Sequence, residues 1–172
     1  MRIGQELRQN KPFASPAQEL LVGLLRTADV VRRLVDEVVE ASGITGQQYN
    51  VLRILRGAGK EGLPTLDIAE RMIEQTPGIT RLIDRLEAKG LVTRERCETD
   101  RRQVFCRIAR PGLTLLARLD DPVNEAGTRV VRALTRTEVT QFIDLLDRTR
   151  EHAHQPLASA SAKKQSTKRS RT

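Results

Sequence analysis

The chain has 172 residues, with 30 Lys and Arg against 22 Asp and Glu, and its formal net charge of +8 points towards polyanionic partners. One ordinary domain with an appendage fits that length. Three Phe, one Tyr and no Trp argue against binding by aromatic stacking on bases and place the core on Leu, Val, Ile and Ala, while two cysteines are too few for a secreted disulfide scaffold.

Residues 1–11 carry no apolar stretch of signal-peptide length, and the longest near-continuous apolar run, 20–25, is far short of a membrane span. A cytoplasmic, nucleoid-associated protein with no membrane partner is therefore expected. From Pro16 to about Ala41, Leu20, Leu24, Val31, Leu34, Val35 and Val38 recur at helical spacing and predict a long amphipathic helix ended by Ser42 and Gly43. A second helix is predicted from a cap at Thr45 through Tyr49, Val51, Leu52, Ile54 and Leu55, and Gly57 and Gly59 stop it. Pro64 and Thr65 open a short helix with Leu66, Ile68, Ala69, Met72 and Ile73 on one side. Thr76 then reads as an N-cap with Pro77 at the first helical position, where its missing N–H costs nothing. That helix buries Ile79, Leu82, Ile83 and Leu86 and ends at Gly90.

The period now changes. Residues 91–97 and 104–108 are short, β-branched and roughly alternating, with 98–103 as a hairpin loop. Two strands make no independent sheet, so they must lean on the helices. After Ala109 the helical spacing returns in Leu113, Leu116, Leu119, Val123, Ala126, Val130 and Leu134, with Pro122 expected to kink the run. Thr135 and Glu138 form a capping box that opens a last helix, with Val139, Phe142, Ile143, Leu145 and Leu146 buried. Residues 156–172 hold Lys163, Lys164, Lys168, Arg169 and Arg171 without an acid, and they read as a disordered basic tail. This tail supplies five of the eight net charges, so the part before it is only mildly basic.

The fold expected from this order is mainly α with a small β-hairpin. A winged helix-turn-helix lobe, about 45–109, sits on a helical dimerisation stem, about 16–42 and 110–153, all within one domain spanning 1–155. Residues 43–55, 68–72 and 79–92, followed by Asp100, Arg101 and Arg102, resemble MarR-type transcriptional regulators, and the resemblance extends over roughly 18–150. It implies a homodimer, with a stem built from the first and last helices, that binds a palindromic operator on double-stranded DNA.

With Ile79, Leu82, Ile83 and Leu86 inward, Thr80, Arg81, Asp84 and Arg85 fall on the outward face. A helix in a major groove needs that set, because arginine donates two hydrogen bonds to guanine and a hydroxyl reaches a phosphate or base edge. The positive end of the helix at Thr76 and Pro77 would favour phosphate. Helical charges are otherwise commonly a solvated, self-paired face. An arginine held at a hairpin tip can enter a narrow minor groove, whereas a charged loop tip needs no function by itself. By resemblance, Asp100 orients, Arg102 is the inserted reader and Arg101 meets phosphate. Thr65, Arg94 and Arg96 are candidate phosphate contacts, which position without reading sequence. The Leu and Val of the first and last helices exceed the needs of one small lobe and suit burial against a second copy.

Other constellations lead elsewhere. The segment 57–60 is no phosphate loop, since Glu61 follows the lysine and Ile54 stands where glycine is required. His152 and His154 with Glu151 lack third and fourth metal ligands, so neither metal nor cofactor is expected. Cys97 and Cys106 flank the wing and would face each other across it; Arg96 and Arg107 could lower a thiolate pKa, though small buried hydrophobes are the plainer role. Phe13, Tyr49 and Phe142 are conceivable pocket residues for a small-molecule effector. No Ser/His/Asp set, paired-carboxylate cleft or cofactor fingerprint suggests an enzyme. The reading is a sequence-specific transcriptional regulator, a ligand-responsive repressor acting as a homodimer on a pseudo-palindromic operator. The other readings are a winged-helix protein-interaction module without DNA binding, and a thiol redox-sensing regulator using the wing cysteines.

Overall fold

The computed structural model describes residues 2–74, 77–96 and 104–154. Two compact units emerge, Met1–Val130 and Val131–Thr172. The first opens with a one-turn helix α1 (Ile3–Glu6), which no sequence pattern announced, and continues into the long α2 (Pro16–Glu40). The start of α2 is fixed by the Ser15 hydroxyl, which accepts from the Gln18 amide at 3.2 Å, and by Pro16 in the first turn. Helix α3 (Gly46–Ala58) begins with a reciprocal cap: the Gln48 amide donates to Thr45 Oγ1 at 3.2 Å and the Thr45 amide to Gln48 Oε1 at 3.0 Å. The cap at Thr45 was legible; the partner that completes it, Gln48, is a buried polar residue with its oxygen satisfied.

A single 3₁₀ turn (Gly59–Glu61) leads to β1 (Leu63–Pro64), then α4 (Thr65–Arg71), α5 (Ile79–Ala88), β2 (Val92–Arg96), β3 (Val104–Ile108) and α6 (Arg110–Val131). The sheet is antiparallel in the order β1-β3-β2, with Leu63 opposite Cys106, Val92 opposite Ile108 and Arg96 opposite Val104. Strand β1 was not anticipated, because two residues carry no alternation; Pro64 is tolerated there because it lies on an edge strand. The core of this unit is centred on α3. Val51, Leu52 and Leu55 are fully enclosed together with Val39 of α2, Ile68 of α4, Ile83 and Leu86 of α5 and Leu116 of α6. Burial of each such side chain contributes about 1.5–3 kcal/mol.

The structure corrects three local expectations. Helix α4 has only two turns, so Leu66, roughly 200° round the helix from the buried Ile68, is 75% exposed, and Ile73, beyond the helix end, is 86% exposed. Helix α5 starts at Ile79 after Gly78, whose φ of +108° is accessible to glycine and breaks the helical path, so Pro77 sits in the preceding turn rather than at the first helical position. Thr76, expected as the cap, lies outside the described residues. Helix α6 continues on both sides of Pro122 and buries Leu115, Leu116 and Leu119, while Leu113 faces out. Its first turn lies close against the strand entry. The Ala109 amide donates to the Leu91 carbonyl at 2.9 Å, and a Cβ at Gly112 would collide with that same carbonyl.

In the second unit, α7 (Arg136–His154) starts at the predicted capping box, where the Thr135 amide donates to Glu138 Oε2 at 2.7 Å and the Glu138 amide to Thr135 Oγ1 at 3.3 Å. The Thr135 amide and its hydroxyl, which donates to the same Oε2 at 2.8 Å, hold the Glu138 carboxyl below the usual range. Burial of its apolar residues was expected, yet among the described residues Phe142, Ile143 and Leu145 are exposed in the single chain. The same holds for Leu20, Leu21 and Leu25 in the first half of α2. No helix among the described residues is long and apolar enough to cross a membrane.

Candidate nucleic-acid interface

Helix α5 carries the outward set as its sequence implied. Leu82, Ile83 and Leu86 are buried, and Thr80, Arg81, Asp84 and Arg85 are exposed along a helix about 15 Å long. Its orientation is fixed from the wing side. Arg94 on β2 donates from Nε to Glu87 Oε2 at 2.8 Å and from Nη2 to the same oxygen at 2.6 Å, and Nη2 also reaches Asp84 Oδ1 at 2.5 Å. The hydrogen bonds to Glu87 and then Asp84 raise the Arg94 pKa further above its already high value. The guanidinium expected to meet phosphate is thus occupied by two carboxylates of α5.

The remaining expected contacts are distributed unevenly. Arg96, at the far end of β2, is exposed. Thr65 opens α4 half-buried, with its hydroxyl 3.8 Å from Cys106 Sγ rather than turned to solvent. Asp100, Arg101 and Arg102, the expected wing-tip readers, lie outside the described residues, as does Cys97. Cys106 is fully buried, and its cross-strand partner is Arg94, so the register does not set it opposite Cys97 as expected. Burial pushes its thiol up, outweighing the lowering by Thr65 and Arg94. Arg107 does not activate it, being bound to Glu95 and, at 2.9 Å, to the Lys60 carbonyl.

Within the first unit, Phe13 and Tyr49 do not share one cavity. Phe13 lines an open cleft of about 570 Å³ with Arg2, Gln5, Lys11 and Pro16. Tyr49 is in the core, its hydroxyl accepting from Arg53 at 3.0 Å with that guanidinium 5.8 Å from the ring centre. Phe142 belongs to the second unit.

Sequence reasoning missed the polar ties that connect the long helices to the lobe. Arg32 of α2 bonds Asp29 at 2.7 Å and Asp36 at 3.1 Å, and its Nε lies 3.7 Å from Glu74, just ahead of α5. Asp36 also accepts from the Gly46 amide at 3.1 Å, and Gln47 donates to Glu74 at 3.3 Å. Arg56 of α3 makes a two-pronged contact with Asp120 of α6 at 2.8 and 3.0 Å. That contact lowers the Asp120 pKa. Only the Asp29, Arg32, Asp36 spacing could have signalled any of this, as pairs on one helical face.

The helix pair α4 and α5, followed by the β2–β3 hairpin that joins β1 in one antiparallel sheet, with the long helices α2 and α6 on either side, defines a winged helix-turn-helix protein. Residues 42–103 match the family model described as MarR family. A solved structure of a MarR transcription factor from Planctomyces limnophilus is 39% identical, covering 79% of this chain and 98% of that one with a TM-score of 0.62. The homoprotocatechuate degradative operon repressor of Escherichia coli is 26% identical over 128 residues, 74% of this chain and 85% of its own. The S. aureus MepR–DNA complex shares the fold at 24% identity, with a TM-score of 0.69 over 75% of this chain and 95% of that one. The chain belongs to the MarR family of transcriptional regulators, which are not enzymes.

Proposed function

We propose that the protein is a homodimeric, sequence-specific double-stranded DNA-binding repressor that occupies a pseudo-palindromic operator and leaves it when a small molecule binds. The observation that carries this is the exposed Thr80, Arg81 and Arg85 on α5, set on a buried Leu82, Ile83 and Leu86. Among relatives, the E. coli protein is named an operon repressor and the S. aureus protein was solved on DNA. In this reading α5 enters the major groove, Arg102 oriented by Asp100 enters the adjacent minor groove, and Thr76, Pro77, Arg101 and Arg96 face phosphates. The exposed apolar residues of α2 and α7 meet a second copy, building the stem from about 16–42 and 110–153 as one domain spanning 1–155. An effector releases DNA only by binding the two lobe spacings unequally. The protein works in the cytoplasm and uses no cofactor.

The test is selection of duplexes from a randomised pool by the purified protein. The expected product is an inverted repeat with half-site centres about one helical turn apart. Arg81→Ala should weaken binding to it by about 1–3 kcal/mol and relax preference at one position per half-site. A pool that shows no enriched sequence overturns the reading and favours a protein-interaction module.

A further inference from the structure

The geometry points to Arg94 as a positioning residue for sequence reading: by forking onto Asp84 and Glu87 it locks α5 to the wing strand and masks the two acids from the DNA. This rests on the proposed DNA binding. Three features carry it. A single guanidinium makes three charge-assisted contacts of 2.5–2.8 Å to two carboxylates one turn apart on α5. Its side chain is only 27% exposed, against 49% for Asp84 and 39% for Glu87, so it lies beneath the acids rather than beyond them. Its cross-strand partner is Cys106, whose sulfur packs against Thr65, the first residue of α4. The β2-β3 register therefore grips both helices of the helix-turn-helix, α5 through Arg94 and α4 through Cys106.

Charge gives the arrangement a second consequence. Asp84 lies between Arg81 and Arg85 on the exposed face of α5. An unmasked carboxylate there would repel phosphate and compete for both neighbouring guanidinia, which are the groups a base edge needs free. With Arg94 in place, three cations face two acids; without it the face is neutral. A lysine could supply the charge but not the fork, because an ammonium is a point donor.

A clamp and a phosphate contact predict different things. Loss of a phosphate contact weakens binding uniformly across sequences, whereas loss of a clamp lowers selectivity. The probes are a duplex selected by the wild-type protein and a scrambled duplex of equal length, read by fluorescence anisotropy at fixed salt. Arg94→Met should reduce the ratio of the two affinities by about tenfold, the scale of one misread base pair. The double change Asp84→Asn with Glu87→Gln breaks the clamp from the exposed side, where folding is not at stake, and should lower the same ratio to a similar degree. Combining all three changes should restore affinity for the scrambled duplex towards wild type while leaving the ratio low. Arg94→Lys should fall between wild type and Arg94→Met. An unchanged ratio in the Asp84→Asn/Glu87→Gln protein, or equal weakening of both duplexes by Arg94→Met, overturns the assignment. Failure of the wild-type protein to select any sequence overturns the DNA-binding reading itself, and so is distinguishable.

Discussion

Helices α5 and α7 are both amphipathic, but they end in opposite situations. The apolar stripe of α5 closes over α3 and the sheet of its own chain, whereas Phe142, Ile143 and Leu145 of α7 remain open. Periodicity says that a face will be covered; it does not say whose atoms cover it. In the lobe, Leu82, Ile83 and Leu86 of α5 share one buried cluster with Val51, Leu52 and Leu55 of α3. The stripe of α7, like the leucines at the start of α2, is the kind of surface a monomer seldom exposes.

The sharpest way to break that contrast is to damage each region and ask what is lost. Leu52→Ala in the centre of the lobe should cost about 2–5 kcal/mol of folding stability, seen as a lower urea midpoint at every protein concentration. Ile143→Asp should leave the monomer folded but weaken dimerisation at least about tenfold, measured by analytical ultracentrifugation across a dilution series. If Ile143→Asp instead unfolds the chain independently of concentration, the two helices are alike after all.

A smaller effect concerns the tie between lobe and α6. The Asp120 carboxyl has its pKa lowered by Arg56, so the contribution of this pair is present above the unfolded carboxylate pKa and disappears as pH falls through the lowered folded value. Both side chains are about a third exposed, so Asp120→Asn should cost at most about 1 kcal/mol at neutral pH. The mutant and wild-type melting temperatures should converge as pH falls below the unfolded carboxylate pKa and through the lowered folded value. A gap that persists in acid would mean that the aspartate acts by something other than its charge.

Much of the lobe was legible because its signals are local. The caps at Thr45 and Thr135 rest on partners three residues away, and the faces of α5 follow from one helical period. Strand β1 was not, since its pairing with β3 joins residues some forty positions apart and Pro64 argues against a strand. The role of Arg94 was hidden for a different reason. Its charge was visible, but whether it meets solvent or α5 depends on how β2 returns along the helix, and no spacing rule fixes that. The residue opposite Cys106, which is Arg94, was hidden for the same reason, because strand register is set by the turn and the core rather than by residue type. Leu113 and Leu115 both fit a helical repeat, and only packing against the lobe selected Leu115.

The tight seat of Gly112 has a mechanical meaning. With no room for even a methyl group against the Leu91 carbonyl, and the Ala109 amide tied to that same oxygen, the head of α6 and the root of the wing share one joint. A tilt imposed on α6 from further along its length is delivered to the wing instead of being absorbed by a gap. Widening that joint with Gly112→Ala would loosen the lever before it touched any group that faces a ligand.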